Sequence, residues 1–152
     1  ATTEIYTLSL HDALPICLHF PDFILIRNIP LISRAVKRVL ENFGGDYVFF
    51  KPIQLTATEL GRAENFWLAL PPRINCLDWE RSIIETENNK FAPPIELMRE
   101  AKKIFIDENQ IGRYNIFKLA GVVNQEIIIT ERLKDALEAA DFENIFFYEL
   151  GE

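Results

Sequence analysis

Two histidines, His11 and His19, and two cysteines, Cys17 and Cys76, are all the imidazole and thiol that this chain of 152 residues offers. His11 lies in an N-terminal stretch set aside below, which leaves His19. One imidazole cannot build a metal centre of two or more histidines, and it argues against a Ser/His/Asp or Cys/His nucleophilic set. Cys76 sits in the apolar run INCLDW, the usual setting of a buried, inert thiol. No glycine-rich phosphate loop is present: Gly44 and Gly45 read as a helix stop, and Gly112 and Gly121 stand alone. No catalytic residue, cofactor or metal ion is therefore expected. Carboxylates are plentiful, so an acid/base pair is not excluded by counting. Asp78 and Glu80 flank Trp79, and in a strand they would share one face as mere neighbours. The favoured reading is a solvated turn with Trp79 packing inward. Asp78, Glu80 and Arg81 are the candidate partner-binding residues.

The elements that position this turn are organised by a repeat. LISRAVKRVLENFGGDYVFF, residues 31–50, aligns without a gap on IITERLKDALEAADFENIFF, residues 128–147. The alignment pairs Ile32 with Ile129, Lys37 with Lys134, Leu40 with Leu137, Glu41 with Glu138, and Phe49–Phe50 with Phe146–Phe147. Each copy opens on an apolar run that reads as a strand. Ser33 or Thr130 follows, a hydroxyl suited to cap the free N–H groups of a new helix. The helix then shows one apolar face: Val36, Val39, Leu40 and Phe43 in the first copy, Leu133, Ala136, Leu137 and Ala140 in the second. Gly44 and Gly45 end the first helix, residues 141–144 form the matching turn in the second, and each copy closes on a β-prone run. A duplicated strand–helix–strand unit is expected, with Leu40 and Leu137 at equivalent core positions.

Between the copies the chain reads mostly as β. Residues 65–70 (NFWLAL) form a strand stopped by Pro71 and Pro72. Residues 74–79 and 82–86 read as strands around a charged turn, 87–90 as loop, and 95–101 as a short helical turn after Pro93 and Pro94. Residues 103–106 and 115–119 read as strands, with Gly112 in the turn between them. Strands and helices segregated in this way predict an α+β fold, a mostly antiparallel sheet with two helices.

Composition is that of an ordinary globular domain, with 49% hydrophobic and 26% charged residues. No apolar run reaches the roughly 18 residues a membrane helix needs. The net charge is −7. Such a chain is poorly suited to nucleic acid, whose affinity rests on basic residues facing phosphate. It suits a basic protein partner, although a modest net charge also simply keeps a domain soluble. Two cysteines make no disulfide framework, so a reducing cytoplasm is the natural setting.

The first sixteen residues, ATTEIYTLSLHDALPI, resemble a translation of the standard short-read sequencing adapter, one reading frame of which matches them without a mismatch. Residues 1–16 are accordingly read as a non-native artefact that contributes nothing to the fold. Residues 17–152 are read as one domain, truncated at its N-terminus. That part keeps every basic residue and loses only Glu4 and Asp12, so it stays acidic.

The order of an xPDF start, the ISRAVKRVLE helix, CLDWERS, IDENQIGRYNIFKLAG and EIIITERLKDALEAADFENIFFYEL resembles a bacterial immunity-protein family of polymorphic toxin systems, the one numbered eleven in that series. The resemblance runs from Phe20 to Leu150 and is strongest over residues 76–82 and 104–150. It implies a non-catalytic protein that protects its cell by binding a cognate toxin. It carries no toxin-binding motif that could be transferred residue by residue. Two other classes remain open at this point: a small enzyme or ligand-binding domain using surface carboxylates, and a regulatory interaction module. A deep polar pocket with converging carboxylates would favour the enzyme, and a broad surface without one would favour binding.

Overall fold

The computed structural model describes residues 5–9, 20–43, 47–57, 61–88 and 97–150. The first repeat copy begins with β2 (Phe23–Ile26) and β3 (Ile29–Ile32), an antiparallel pair in the register Phe23↔Ile32. Arg27 and Asn28 join them with φ of 48° and 64°, the positive values that a tight two-residue hairpin turn demands. Helix α1 (Arg34–Asn42) follows at once. The Ser33 hydroxyl accepts from the Val36 N–H at 3.3 Å and donates to Asp22 Oδ1 at 2.8 Å, so the expected cap forms and is itself held in place. Strands β4 (Phe49–Ala57) and β5 (Arg62–Leu70) then pair along their length, from Phe49↔Leu70 to Ala57↔Arg62. Strand β5 lies between β3 and β4, giving the order β2-β3-β5-β4.

The second copy repeats this plan. Strands β9 (Ile116–Leu119) and β10 (Ile127–Thr130) are antiparallel, α2 (Glu131–Ala139) follows, and β11 (Phe146–Glu149) ends the unit. The strand between β10 and β11 is β1 (Ile5–Ser9), antiparallel to both, in the registers Tyr6↔Ile129 and Tyr6↔Glu149. The order β9-β10-β1-β11 therefore matches β2-β3-β5-β4 strand for strand and direction for direction. Residues 5–9 thus form a strand paired on both edges, contrary to the expectation that residues 1–16 contribute nothing to the fold. The physical reason is backbone geometry. Strands β10 and β11 run parallel with one strand's width between them, and backbone pairing in that gap is indifferent to side-chain identity.

The duplication reaches the side chains. Leu40 and Leu137 are 4% and 3% exposed, Ile32 and Ile129 are fully buried, and all four belong to one core with Val36, Val48 and Leu133. Lys37 bridges to Glu41 and sits 5.0 Å from the Phe50 ring; Lys134 bridges to Glu138 and sits 5.9 Å from the Phe147 ring. The two helices touch, so this core is one copy packed on the other. The copies differ at the cap: the Thr130 side chain makes no cap bond and instead donates to Asn115 Oδ1 at 2.8 Å. Ala140, expected on the apolar face, is exposed at the end of α2. Asp141 and Asn144 take φ of 53° and 64° in the turn before β11. Gly44 and Gly45 lie outside the described residues.

Strand β6 (Arg73–Ile74) runs parallel to β9 and extends the second sheet. Strands β7 (Ile83–Asn88) and β8 (Leu97–Lys103) form a separate two-stranded hairpin. Here the sequence expectations need correcting. Residues 97–101 are strand where a helical turn was expected, although LMREAKK is rich in helix formers. Pairing with β7, such as Glu85↔Glu100, supplies the backbone bonds, and tertiary context overrides propensity. Likewise residues 75–79 and 104–106 are not continuous strands. They meet only at the bridge Leu77↔Ile106.

Candidate functional site

The turn at residues 78–82 owes its shape to Asp78. One carboxylate oxygen accepts the backbone N–H groups of Glu80 and Arg81, both at 3.1 Å, and the Asp78 carbonyl accepts from Ser82 N at 2.9 Å. This aspartate is thus a turn-former, the role its side chain plays wherever it bonds to its own backbone two and three residues on. Ser82 fixes the turn to residue 105 through its hydroxyl, which donates to the Phe105 carbonyl at 3.2 Å and accepts from the Phe105 N–H at 2.9 Å. Asp78 N–H also donates to the Phe105 carbonyl, at 2.8 Å. Glu80 and Arg81 project from this frame and are exposed.

Trp79 is 41% exposed, so the inward packing expected of it is not found. Its indole instead lies on the backbone of Gly121. A Cβ at Gly121, whose φ is +81°, would stand 2.9 Å from Trp79 Cζ2, so only glycine lets the ring settle there. The Arg99 guanidinium covers the indole at 5.8 Å from its centroid. Arg81 and Lys103 both sit over the Phe105 ring, at 4.5 and 5.3 Å. Ile83, 56% exposed, is the cross-strand partner of Lys103. Sequence reasoning found Arg81 but missed Trp79, Arg99, Lys103 and Phe105 as surface residues. The isolated Gly121 was the one available signal, since a lone glycine outside a helix often marks close approach of another group.

This face rests on a firm base. The Asn124 carboxamide reads the Ala101 backbone, accepting its N–H at 2.8 Å and donating to its carbonyl at 3.0 Å, which pins β8 to the loop beyond Gly121. Arg73 donates to the Leu119 and Asn124 carbonyls at 2.7 and 3.1 Å and so holds that loop. Lys118, only 8% exposed, donates to the Asn28 carbonyl at 3.1 Å and ties the β2–β3 turn to β9. Burial pulls its amino group below its ordinary value, and neighbouring Arg73 adds repulsion. Beneath the turn, Cys76 is fully buried, and desolvation pushes its thiol up to about 11. A thiol so placed is neither nucleophile nor ready ligand at neutral pH.

Among the described residues, no group of three His, Cys, Asp or Glu side chains is arranged to hold a metal ion. An open depression of about 330 Å³ lies beside α2 and β11, lined by Leu137, Phe142, Ile145 and Phe147 with Glu138 and Asp141. The Glu138 carboxylate there is already bridged to Lys134 at 3.1 Å. No helix of the described chain is long and apolar enough to cross a membrane.

The described residues form an α+β frame built from a duplicated unit, and its turn at residues 78–82 presents an aromatic and charged surface. The chain belongs to the immunity protein family (Imm11), whose model matches residues 18–152. The match begins just beyond the stretch that resembles translated adapter. No curated protein matches the chain.

Proposed function

We propose that this protein acts by binding a cognate bacterial toxin in the cytoplasm and blocking it, without turnover of its own. The family match over residues 18–152 carries this reading. The native part is read as one domain, residues 17–152. The acidic balance, −7 over the chain, would speed capture of a basic toxin. The candidate contact residues Asp78, Glu80 and Arg81 separate by role. Asp78 shapes the turn, and Glu80 and Arg81 are exposed on it, Arg81 over the Phe105 ring. Co-expression with toxin domains encoded beside the gene, followed by titration of the purified pair, tests the proposal. Protection should saturate at a fixed ratio of the two proteins. Rescue at strongly substoichiometric amounts would point to catalysis instead.

A further inference from the structure

We infer that the face formed by Trp79, Arg81, Ile83, Arg99, Lys103 and Phe105 is the docking surface, and that it receives a carboxylate-rich segment of a protein partner. This rests on the immunity reading and specifies the chemistry of its contact. Cation–aromatic pairs recur elsewhere in the chain, as at Arg113 on Tyr47. Three also converge on Trp67 and Phe50, but Lys37 there is bridged to Glu41; at this turn and strand end three separate cations take part. Two carboxylates of the hairpin are already engaged: Lys102 bridges Glu85 at 3.5 Å and Glu100 at 2.6 Å, while Glu87 lies further along β7. Asp78 is occupied by the two backbone N–H groups of its turn. Among the described residues, Arg81, Arg99 and Lys103 are left without an acidic partner. All three are exposed.

The aromatic rings supply what an unpaired surface cation lacks, a fixed position. Each cation stays within 6 Å of a ring face, so little side-chain freedom remains to be lost on binding. Trp79 and Ile83 add exposed apolar area between them, the combination of aromatic and arginine from which binding hot spots are built. Covering these cations with an apolar or basic surface would leave three charges desolvated and uncompensated. An acidic segment satisfies them. Nucleic acid is the poorer fit, because its affinity grows with the number of phosphates neutralised, and three cations on a chain of net charge −7 neutralise few. Distant acidic residues are screened beyond a Debye length of about 8 Å at physiological salt, whereas exposed Glu80, next to Arg81 in the chain, opposes the contact locally. A toxin that is basic overall yet offers an acidic loop would meet both features.

The test uses the full chain and two probes. The first is a fluorescent twelve-residue peptide alternating Glu with Phe or Leu, with a single-stranded oligonucleotide of twelve nucleotides as its competitor class. Anisotropy should show the peptide binding the wild-type chain, with at least tenfold weaker binding by Arg99→Glu and by the Arg81→Glu/Lys103→Glu pair. Melting curves should show that these exposed substitutions leave the fold intact. Equal peptide binding by wild type and variants, no peptide binding at all, or tighter binding of the oligonucleotide overturns the inference. The second probe is the toxin domain encoded beside the gene. Binding lost in the same variants supports the inference. Binding undiminished in them overturns it while leaving the immunity reading standing. A wild-type chain that binds the acidic peptide but no neighbouring toxin refutes the immunity reading and leaves the acidic-segment site standing.

Discussion

Leu40 and Leu137 are equivalent residues of the two repeat copies, and the structure places both on the wall of one small void shared with Val36, Ala69 and Ile145. Truncating either to alanine removes three buried carbons, about 2.4 kcal/mol at ~0.8 kcal/mol per methylene. The cavity left behind adds about 1 to 2 kcal/mol, because a void already lies beside both side chains and the walls have little to collapse onto. Each single variant should therefore lose roughly 3 to 4.5 kcal/mol. The double variant should depart from additivity by about 0.5 kcal/mol or more, because the two cavities share their lining. Urea unfolding followed by circular dichroism reads this out as a fall in midpoint at constant slope. Leu40→Val and Leu137→Val give milder steps should the double alanine variant fail to fold. Glu41→Ala, on the exposed side of α1, should stay within about 0.5 kcal/mol once its weak bridge to Lys37 is discounted. Losses below about 1 kcal/mol at both leucines, or strictly additive ones, would refute the packing of copy on copy.

Other perturbations probe the remaining joints. Thr7→Pro removes a backbone N–H from β1 at a position facing both Ile128 and Tyr148, so it should lower the melting temperature; an unchanged melt would mean that the strand contributes nothing. Gly121→Ala should push the indole off its seat, seen as a shift in Trp79 fluorescence measured in a Trp67→Phe background, and an unshifted spectrum would contradict the 2.9 Å approach. Ser33→Ala should cost about 1 kcal/mol through the lost cap, whereas Thr130→Ala should act instead through its bond to Asn115, so that it loses little further stability in an Asn115→Ala background. The Cys76 thiol titrates near its ordinary 9.0 when unfolded and about 11 when folded, so its contribution is complete below pH 9 and is lost as pH rises toward 11. That loss amounts to roughly 2 to 3 kcal/mol, and Cys76→Ala should flatten this part of the pH profile.

The duplicated unit was legible in the sequence because it is local. Each helix with its capping residue and apolar face is written in some twenty consecutive residues, and period 3.6 cannot be confused with period 2 over that length. The expectation of no histidine-based site rested on counting alone. The candidate surface was only half legible. Asp78, Glu80 and Arg81 stood out as a charged cluster, yet nothing local said that the Asp78 carboxylate would be consumed by its own turn or that Trp79 would face outward. Those facts depend on Phe105 and Gly121, more than twenty and forty residues away, whose positions are set by the bridge between Leu77 and Ile106 and by Asn124 gripping Ala101. Strand β8 tells the same story, since its residues favour helix and only a neighbouring strand makes them extended. So does β1, whose place depends on a gap between two parallel strands. Side-chain period and capping are properties of consecutive residues, so sequence alone determined the two units. Strand pairing, ring seating and the survival of unpaired cations are properties of residues far apart in the chain, and they emerge when folding brings those residues together.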